Sequence, residues 1–370
     1  MSFYEELKKF PWTEVEGEIE RRTASDVRAA LDARTVGLEA VLSLLSPAAD
    51  QFLEEMAARA HRITRQRFGN TIGLFAPLYL SNVCVNSCAY CGFNSRNAIE
   101  RLTLTPAQAE KEAEYIHAMG FRNILLVSGE APKIISMEYL ADVVKRLRPL
   151  FPSISVEIYP MSAEQYGGLA ERGVDGLVIF QETYNEALYE TVHLGGKKRD
   201  FRWRLETPDR GGSAGLRRIG LGALLGLGNW RAEGFYLALH SQYLMRRFWK
   251  SQVSISFPRL RPAAGGFQPA LPVSDRDLVQ LLTALRLFLP DVGFTLSTRE
   301  HATLRDNLMP LGITMMSAGS RTDPGGYTQE KEAEAQFEIA DHRSPEEVAG
   351  MIREKGYEPV WKDWDQAFTS

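Results

Sequence analysis

Cysteine is nearly absent from this chain: three occur among 370 residues, all between positions 84 and 91, and none follows. An odd number packed so tightly argues against a disulfide framework and suits a reducing compartment. Long apolar runs are missing too. No stretch approaches the roughly 18 uninterrupted apolar residues of a membrane span. The opening MSFYEELKKFPW has no apolar core of a signal peptide, so a cytoplasmic location is expected. Neither sign of charge dominates: a net charge of -4 leaves no electrostatic footprint for nucleic acid. Histidine is sparse, and none of the six falls into a metal-ligand pair or beside a nucleophilic serine. His240 lies in a helical stretch and reads as core or surface, and His193 precedes a Gly-Gly-Lys-Lys loop (195–198) that faces substrate or solvent.

Residues 1–70 read as helical, with Ser46 as N-cap, Pro47 at the first helical position, and Ala49, Phe52, Leu53, Met56, Ala57 and Ala60 at helical spacing up to Gly69. From residue 71 short β-branched or apolar runs alternate with helical stretches, as in βαβ units. Eight runs suit strands: 71–80, 123–127, 153–159, 176–180, 218–225, 253–257, 293–297 and 313–317. Thr105, Pro106 and Gln108 make a capping-box start, and Gly120 a stop. Eight strands favour closure, so the expected class is α/β: a (β/α)8 barrel over 71–320, a helical extension over 1–70 and a cap over 321–370. The basic, Gly-rich stretch within 181–217 reads as a long loop, and strands are expected to cease after residue 320. Trp361 and Trp364 suit either a docking site or a packed lid.

Cys84, Cys88 and Cys91 form CxxxCxxC directly after the first strand candidate, so the thiols fall at the strand end where barrels place their chemistry. Such a loop can wrap three thiolates around three irons of a cubane, and with no fourth cysteine the last iron needs a non-protein ligand. Zinc held with a histidine is the alternative, but paired CxxC spacing is missing and no histidine lies within twenty residues. Inert buried cysteines would be scattered through strands rather than share one turn.

Other side chains belong to the same barrel end. Glu157 lies inside an apolar strand, where an unpaired acid costs several kcal/mol, so it is expected to face a polar lumen as an ion pair or a cofactor contact. Glu182 follows the fourth strand, as a ligand contact or a solvated loop acid. Arg259 and Arg299 end the sixth and seventh strands, where a guanidinium can clamp a carboxylate or simply brace a loop against an acid such as Glu300. Ser317, ending the eighth, could complete a carboxylate pocket with Arg299.

The cysteine spacing, with an aromatic at Tyr90, resembles the signature of the radical S-adenosylmethionine superfamily. Ser128-Gly129-Glu130 resembles that superfamily's Gly-Gly-Glu element with serine in the first place. The phrases TRQRFGN, PLYLSNVCVNSCAYCGF, LLVSGE, QETY, KKRDFRWRLETPDR, RIGLGALLGL, SFPRLRP, LSTRE and PVWKDWD are similar, across nearly the whole chain, to the tyrosine lyases of thiamin thiazole biosynthesis, the 2-iminoacetate synthases (ThiH). The resemblance implies a [4Fe-4S] cluster on the three cysteines. It implies S-adenosylmethionine near Ser128, Gly129, Glu130, Glu157 and Glu182, and the tyrosine carboxylate near Arg299, Ser317 or Arg259. The implied reaction splits Cα from Cβ of L-tyrosine to give 2-iminoacetate and 4-methylphenol, with 5'-deoxyadenosine and methionine as co-products. A flavodoxin- or ferredoxin-type donor and a thiazole synthase (ThiG) are the implied partners. The alternative is a lyase of the same architecture acting on another amino acid. A relative that carries a second, cysteine-held cluster is excluded by inventory, since no cysteine follows Cys91.

Overall fold

The computed structural model describes residues 2–328, 333–362 and 364–365. Its strands are β1 Thr71–Ser81, β2 Asn123–Ser128, β3 Ser153–Glu157, β4 Gly176–Glu182, β5 Arg218–Ala223, β6 Gln252–Ser256, β7 Gly293–Leu296, β8 Met315–Ser317 and β9 Glu358–Val360. The first eight run parallel in sequence order, and β1 pairs with both β8 and β2, closing the barrel. Each coincides with one of the expected runs to within a few residues. One face of every strand meets the lumen and the other the surrounding helices, which is why these segments read as apolar on both faces.

Several helices begin where polar side chains satisfy their free N–H groups. Thr105 accepts from the Gln108 amide while the Gln108 side chain reaches back, and the same reciprocal box opens helices at Ser162, Ser274 and Ser344. The N-terminal helices pack on the barrel's flank. Phe3 stacks on His240 with ring centres 3.7 Å apart, and Trp12 stacks on Tyr236 at 5.3 Å. His240 is therefore a core residue, and burial pushes its imidazole down to about 3. No described helix is long and apolar enough to cross a membrane.

Three expectations need correction. Ser46 and Pro47 take the N-cap and first positions as expected, but the element they open is a 3-10 turn, Pro47–Phe52, and the Ser46 hydroxyl donates backwards to the Ser43 carbonyl at 2.7 Å instead of capping it. The α-helix itself starts at Leu53. The stretch 181–217 is not a plain loop: β4 runs on to Glu182, and helices follow at Glu186–Val192, Phe201–Leu205 and Thr207–Ser213. Helices this short show too few turns for a hydrophobic period. Strands also do not cease after residue 320. β9 pairs in parallel with the first residues of β1, Glu358 opposite Thr71 and Val360 opposite Gly73, and a three-residue strand containing Pro359 carries no legible pattern.

β9 leads into a plug at the barrel floor. The Trp361 ring meets Phe121 at 5.2 Å and lies over Gly120, whose positive φ of 103° suits glycine. Trp364 receives the Arg217 guanidinium at 4.4 Å. Both tryptophans of PVWKDWD are thus packed, and Asp363 lies outside the described residues.

Candidate active site

The cysteine loop leaves β1 at the opposite end, the mouth, and is held almost entirely through its own backbone. Arg101 donates to the carbonyls of Asn82, Phe93, Asn94 and Asn97 at 2.7–3.1 Å. Asn94 and Asn97 side chains donate to the carbonyls of Cys88 at 2.9 Å and Cys91 at 3.3 Å. One edge of the loop bonds to the end of β2, through Val85 N–H to the Glu130 carbonyl at 2.9 Å. The other edge zips onto residues 192–195, with Ser87 and Gly195, Leu194 and Ser87, and Ala89 and Val192 as partners. Gly129 lies so close that a β-carbon there would stand 2.3 Å from the Val83 carbonyl oxygen. Only glycine lets the two backbones approach.

Cys88 is buried and Cys84 and Cys91 are half-buried. Burial pushes all three thiols up, so each would have to be deprotonated against a desolvation cost. A bound metal centre supplies the missing positive charge and makes the thiolate the stable form. Among the described residues no three His, Cys, Asp or Glu side chains converge as ligands of one ion. Three thiols on one short turn fit the wider reach of a cubane better than a mononuclear site.

Beside the loop runs a belt of buried charge. Arg204 pairs with Glu130 at 2.8 Å and lies 3.5 Å from Glu182, while Lys198 pairs with Glu182 at 2.8 Å. Asn86, inside the cysteine loop, donates to Glu130 at 2.7 Å and accepts from the Lys198 amide at 3.0 Å. Burial acts to raise Glu182, but Lys198 and Arg204 outweigh it and hold the carboxyl below the usual range. Glu182 also has a left-handed φ of 71° at a bulge in the β4–β5 pairing. A non-glycine residue in that region costs on the order of 1–3 kcal/mol and persists only when its surroundings over-determine it. Sequence reading left Lys198 open and missed Arg204. Their only signal was basic charge in a stretch without strand or helix period.

The lumen below holds a cavity of about 390 Å³, with Tyr79, Glu157, Arg299, Ser317 and Phe337 among its lining near the mouth. Burial first, and Glu182 second, push the Glu157 carboxyl up to about 7, with Arg299 partly opposing. Arg299 lies 3.3 Å over the Phe337 ring, and no carboxylate pairs with it among the described residues. Burial holds it below its ordinary range. The Ser317 hydroxyl accepts from the Thr298 amide at 3.2 Å. Ser128 turns its hydroxyl to the Gly129 carbonyl at 3.0 Å, which leaves the chain there to act through its backbone.

Arg259 is the sequence candidate that the structure takes out of the site. Its guanidinium is engaged by both oxygens of Glu300, by Asp275 at 2.8 Å and by the Val273 carbonyl at 2.9 Å, and it is absent from the cavity wall. With its donors used, it braces loops.

A strap from the C-terminal part closes the mouth, a role sequence reading assigned only to a generic cap. Gly92 N–H bonds to the Gln336 carbonyl at 3.2 Å, and the Tyr79 hydroxyl donates to the Gln336 side chain at 2.8 Å. Buried Glu112 receives the Tyr327 and Thr328 amides at 2.9 Å each, and Ala340 N–H donates to the Thr298 carbonyl at 2.9 Å.

Residues 78–233 match the Radical SAM superfamily, and residues 256–358 the Biotin and Thiamin Synthesis associated domain. The chain is 46% identical over 365 residues to the 2-iminoacetate synthase of Escherichia coli (strain K12), covering 98% of this chain and 97% of that one. It is 45% identical over the same length to the 2-iminoacetate synthase of Salmonella typhimurium. Among solved structures, the FeFe-hydrogenase maturase HydG from Carboxydothermus hydrogenoformans superposes with a TM-score of 0.83 at 34% identity, over 97% of this chain and 83% of that one.

Proposed function

The chain belongs to the 2-iminoacetate synthase family of radical S-adenosylmethionine enzymes, and from that premise we propose how its residues divide the work. It is a carbon–carbon lyase that uses a [4Fe-4S] cluster and S-adenosylmethionine to cleave L-tyrosine between Cα and Cβ. The products are 2-iminoacetate and 4-methylphenol, with 5'-deoxyadenosine and methionine released. When bound, cluster and cofactor together supply the 5'-deoxyadenosyl radical that takes hydrogen from the tyrosine amino group.

Cys84, Cys88 and Cys91 hold three irons and leave one without a protein thiolate, since the sequence has no other cysteine. The Ser128–Glu130 edge offers backbone carbonyls to the ammonium of the methionine moiety. Glu130 pairs with Arg204, and Lys198 and Arg204 keep the Glu182 carboxylate charged, so this rim is ordered before a ligand arrives. Glu157 faces the lumen from the next strand as a further contact for the cofactor. Arg299 receives the tyrosine carboxylate through its planar fork, with Ser317 beside it. Phe337 and Gln336 keep water from the reacting atoms.

The observation that carries this assignment is the Arg299 guanidinium, half-buried in the lumen cavity with no carboxylate partner among the described residues. An amino-acid carboxylate is the partner it lacks. A flavodoxin- or ferredoxin-type protein supplies the two electrons that each turnover consumes together with one proton, and a thiazole synthase takes the imine product. Anaerobic reconstitution with tyrosine, following deoxyadenosine and 4-methylphenol together, tests the reading. No deoxyadenosine above a Cys88→Ala control retires it, and deoxyadenosine without 4-methylphenol moves the substrate to another amino acid.

A further inference from the structure

The strap over the mouth sets one side chain against both the lumen and the cysteine loop. Gln336 lines the lumen cavity together with Tyr79, Arg299 and Phe337. Its side-chain amide nitrogen also stands 3.9 Å from the sulfur of Cys91, within reach of an N–H···S hydrogen bond. Cys84 is served instead by a backbone donor, the Asn86 amide at 3.5 Å.

Three restraints hold Gln336 in that place. Its N–H donates to the Thr322 carbonyl at 2.9 Å, its carbonyl accepts from the Gly92 amide at 3.2 Å, and its side-chain oxygen accepts from the Tyr79 hydroxyl at 2.8 Å. The approach depends on Gly92, the residue directly after Cys91, because a β-carbon there would stand 2.7 Å from the Gln336 carbonyl oxygen. Chemistry fixes which end of the amide faces which neighbour. A thiolate on iron only accepts, so the nitrogen must face Cys91. The oxygen then turns to Tyr79, whose phenol is kept protonated by burial and donates.

Reduction of a thiolate-held cluster places one further negative charge on iron and its sulfurs. A donor aimed at one of those sulfurs favours the electron-rich state and raises the potential. We propose that Gln336, oriented by Tyr79, is a positioning residue that acts through Cys91 to make the cluster easier to reduce. The step it assists adds one electron from a one-electron donor and takes the cluster from the 2+ to the 1+ state, with no bond made or broken. The inference rests on the reading that Cys91 holds an iron of that cluster. It gives the strap a part in the chemistry besides the exclusion of water.

The test is an anaerobic redox titration of the reconstituted full-length enzyme, followed by the EPR signal of the reduced cluster, with neither tyrosine nor S-adenosylmethionine added. Gln336→Met keeps the side chain's length and neutrality but removes the donor. Its reduction equilibrium is expected to fall roughly three- to tenfold, up to about 59 mV for a one-electron couple, with iron content unchanged. Tyr79→Phe frees the amide to turn and is expected to give a smaller shift of the same sign. Adding Tyr79→Phe to Gln336→Met is expected to move the potential no further, since both changes act through one hydrogen bond. Equal potentials in the parent and Gln336→Met overturn the proposal. So does additivity of the two changes, which would mean separate effects on the polarity of the cavity, or loss of iron from Gln336→Met, which would assign the residue to building the loop. A parent that takes up no cluster gives no signal at all. That outcome retires the cysteine reading and the proposal together, whereas equal potentials retire the proposal alone.

Discussion

At the floor of the barrel Trp361 packs on Phe121, and Asp175 receives the Ile154 amide at 2.8 Å, the Ser153 hydroxyl and the Arg217 guanidinium at 2.6 Å, so these charges meet structural partners. At the mouth Glu157 sits in the lumen raised to about 7, Glu182 holds a left-handed backbone, and Arg299 has a ring but no acid. One end spends its contacts on stability, and the other keeps strain and unmatched charge ready for a ligand. Substitutions at the two ends should therefore separate activity from stability.

The sharpest break of that contrast is Cys88→Ala. Iron at the loop and deoxyadenosine formation are expected to fall by about 10³-fold or more, some 4 kcal/mol or above, while thermal unfolding of the cluster-free protein changes little. Iron analysis beside calorimetry checks both halves. Next comes Arg299→Met. Loss of this half-buried clamp should lower kcat/KM for tyrosine by about 10²-fold or more, near 3 kcal/mol, with the cluster's EPR signal retained. Arg259→Met is the contrasting variant: KM should hold while stability drops, and a large KM effect there would return Arg259 to the site.

At the floor, Trp361→Ala is expected to cost about 2 kcal/mol of stability with the tyrosine KM unchanged, measured by denaturant unfolding. Acid pH should act on the strap by a similar amount. Burial works to raise Asp341, yet hydrogen bonds and charge from Arg343 and Arg305 hold it down to about 2. Burial lowers Arg305 while pairing raises Arg343, but both arginines stay charged throughout, so the carboxylate sets the pH dependence. Its contribution is fully present above the unfolded value of about 3.9 and is lost as pH falls toward 2, about 2.5 kcal/mol in all. Asp341→Asn should remove that slope between pH 4 and 2. Smallest of all, Ser128→Gly should leave kcat/KM within about threefold, since only backbone is offered there.

How far the chain could be read depended on whether a residue's partner lay nearby in sequence. The eight barrel strands were legible because lumen and helices bury both faces, and the thiols because three cysteines share one turn. Arginine roles were not. Clamp and brace stood open for both Arg259 and Arg299, and although Glu300 follows Arg299 directly it pairs with Arg259, which the sequence alone could not decide. Arg204 was missed because its partners are distant in sequence, Glu130 just beyond β2 and Glu182 at the end of β4. β9 and the strap show no period of their own, and they take their shape from surfaces already formed.

The pairing of β9 with the start of β1 ties the strand that introduces the cysteines to residues far along the chain, Glu358 to Val360. On a ribosome, Thr71 to Gly73 must wait, with that part of their edge unpaired, until all eight barrel strands and then β9 have emerged. Completion of the floor thus follows the making of the barrel, and the emerging chain depends on keeping that edge from other strands until its own partner arrives.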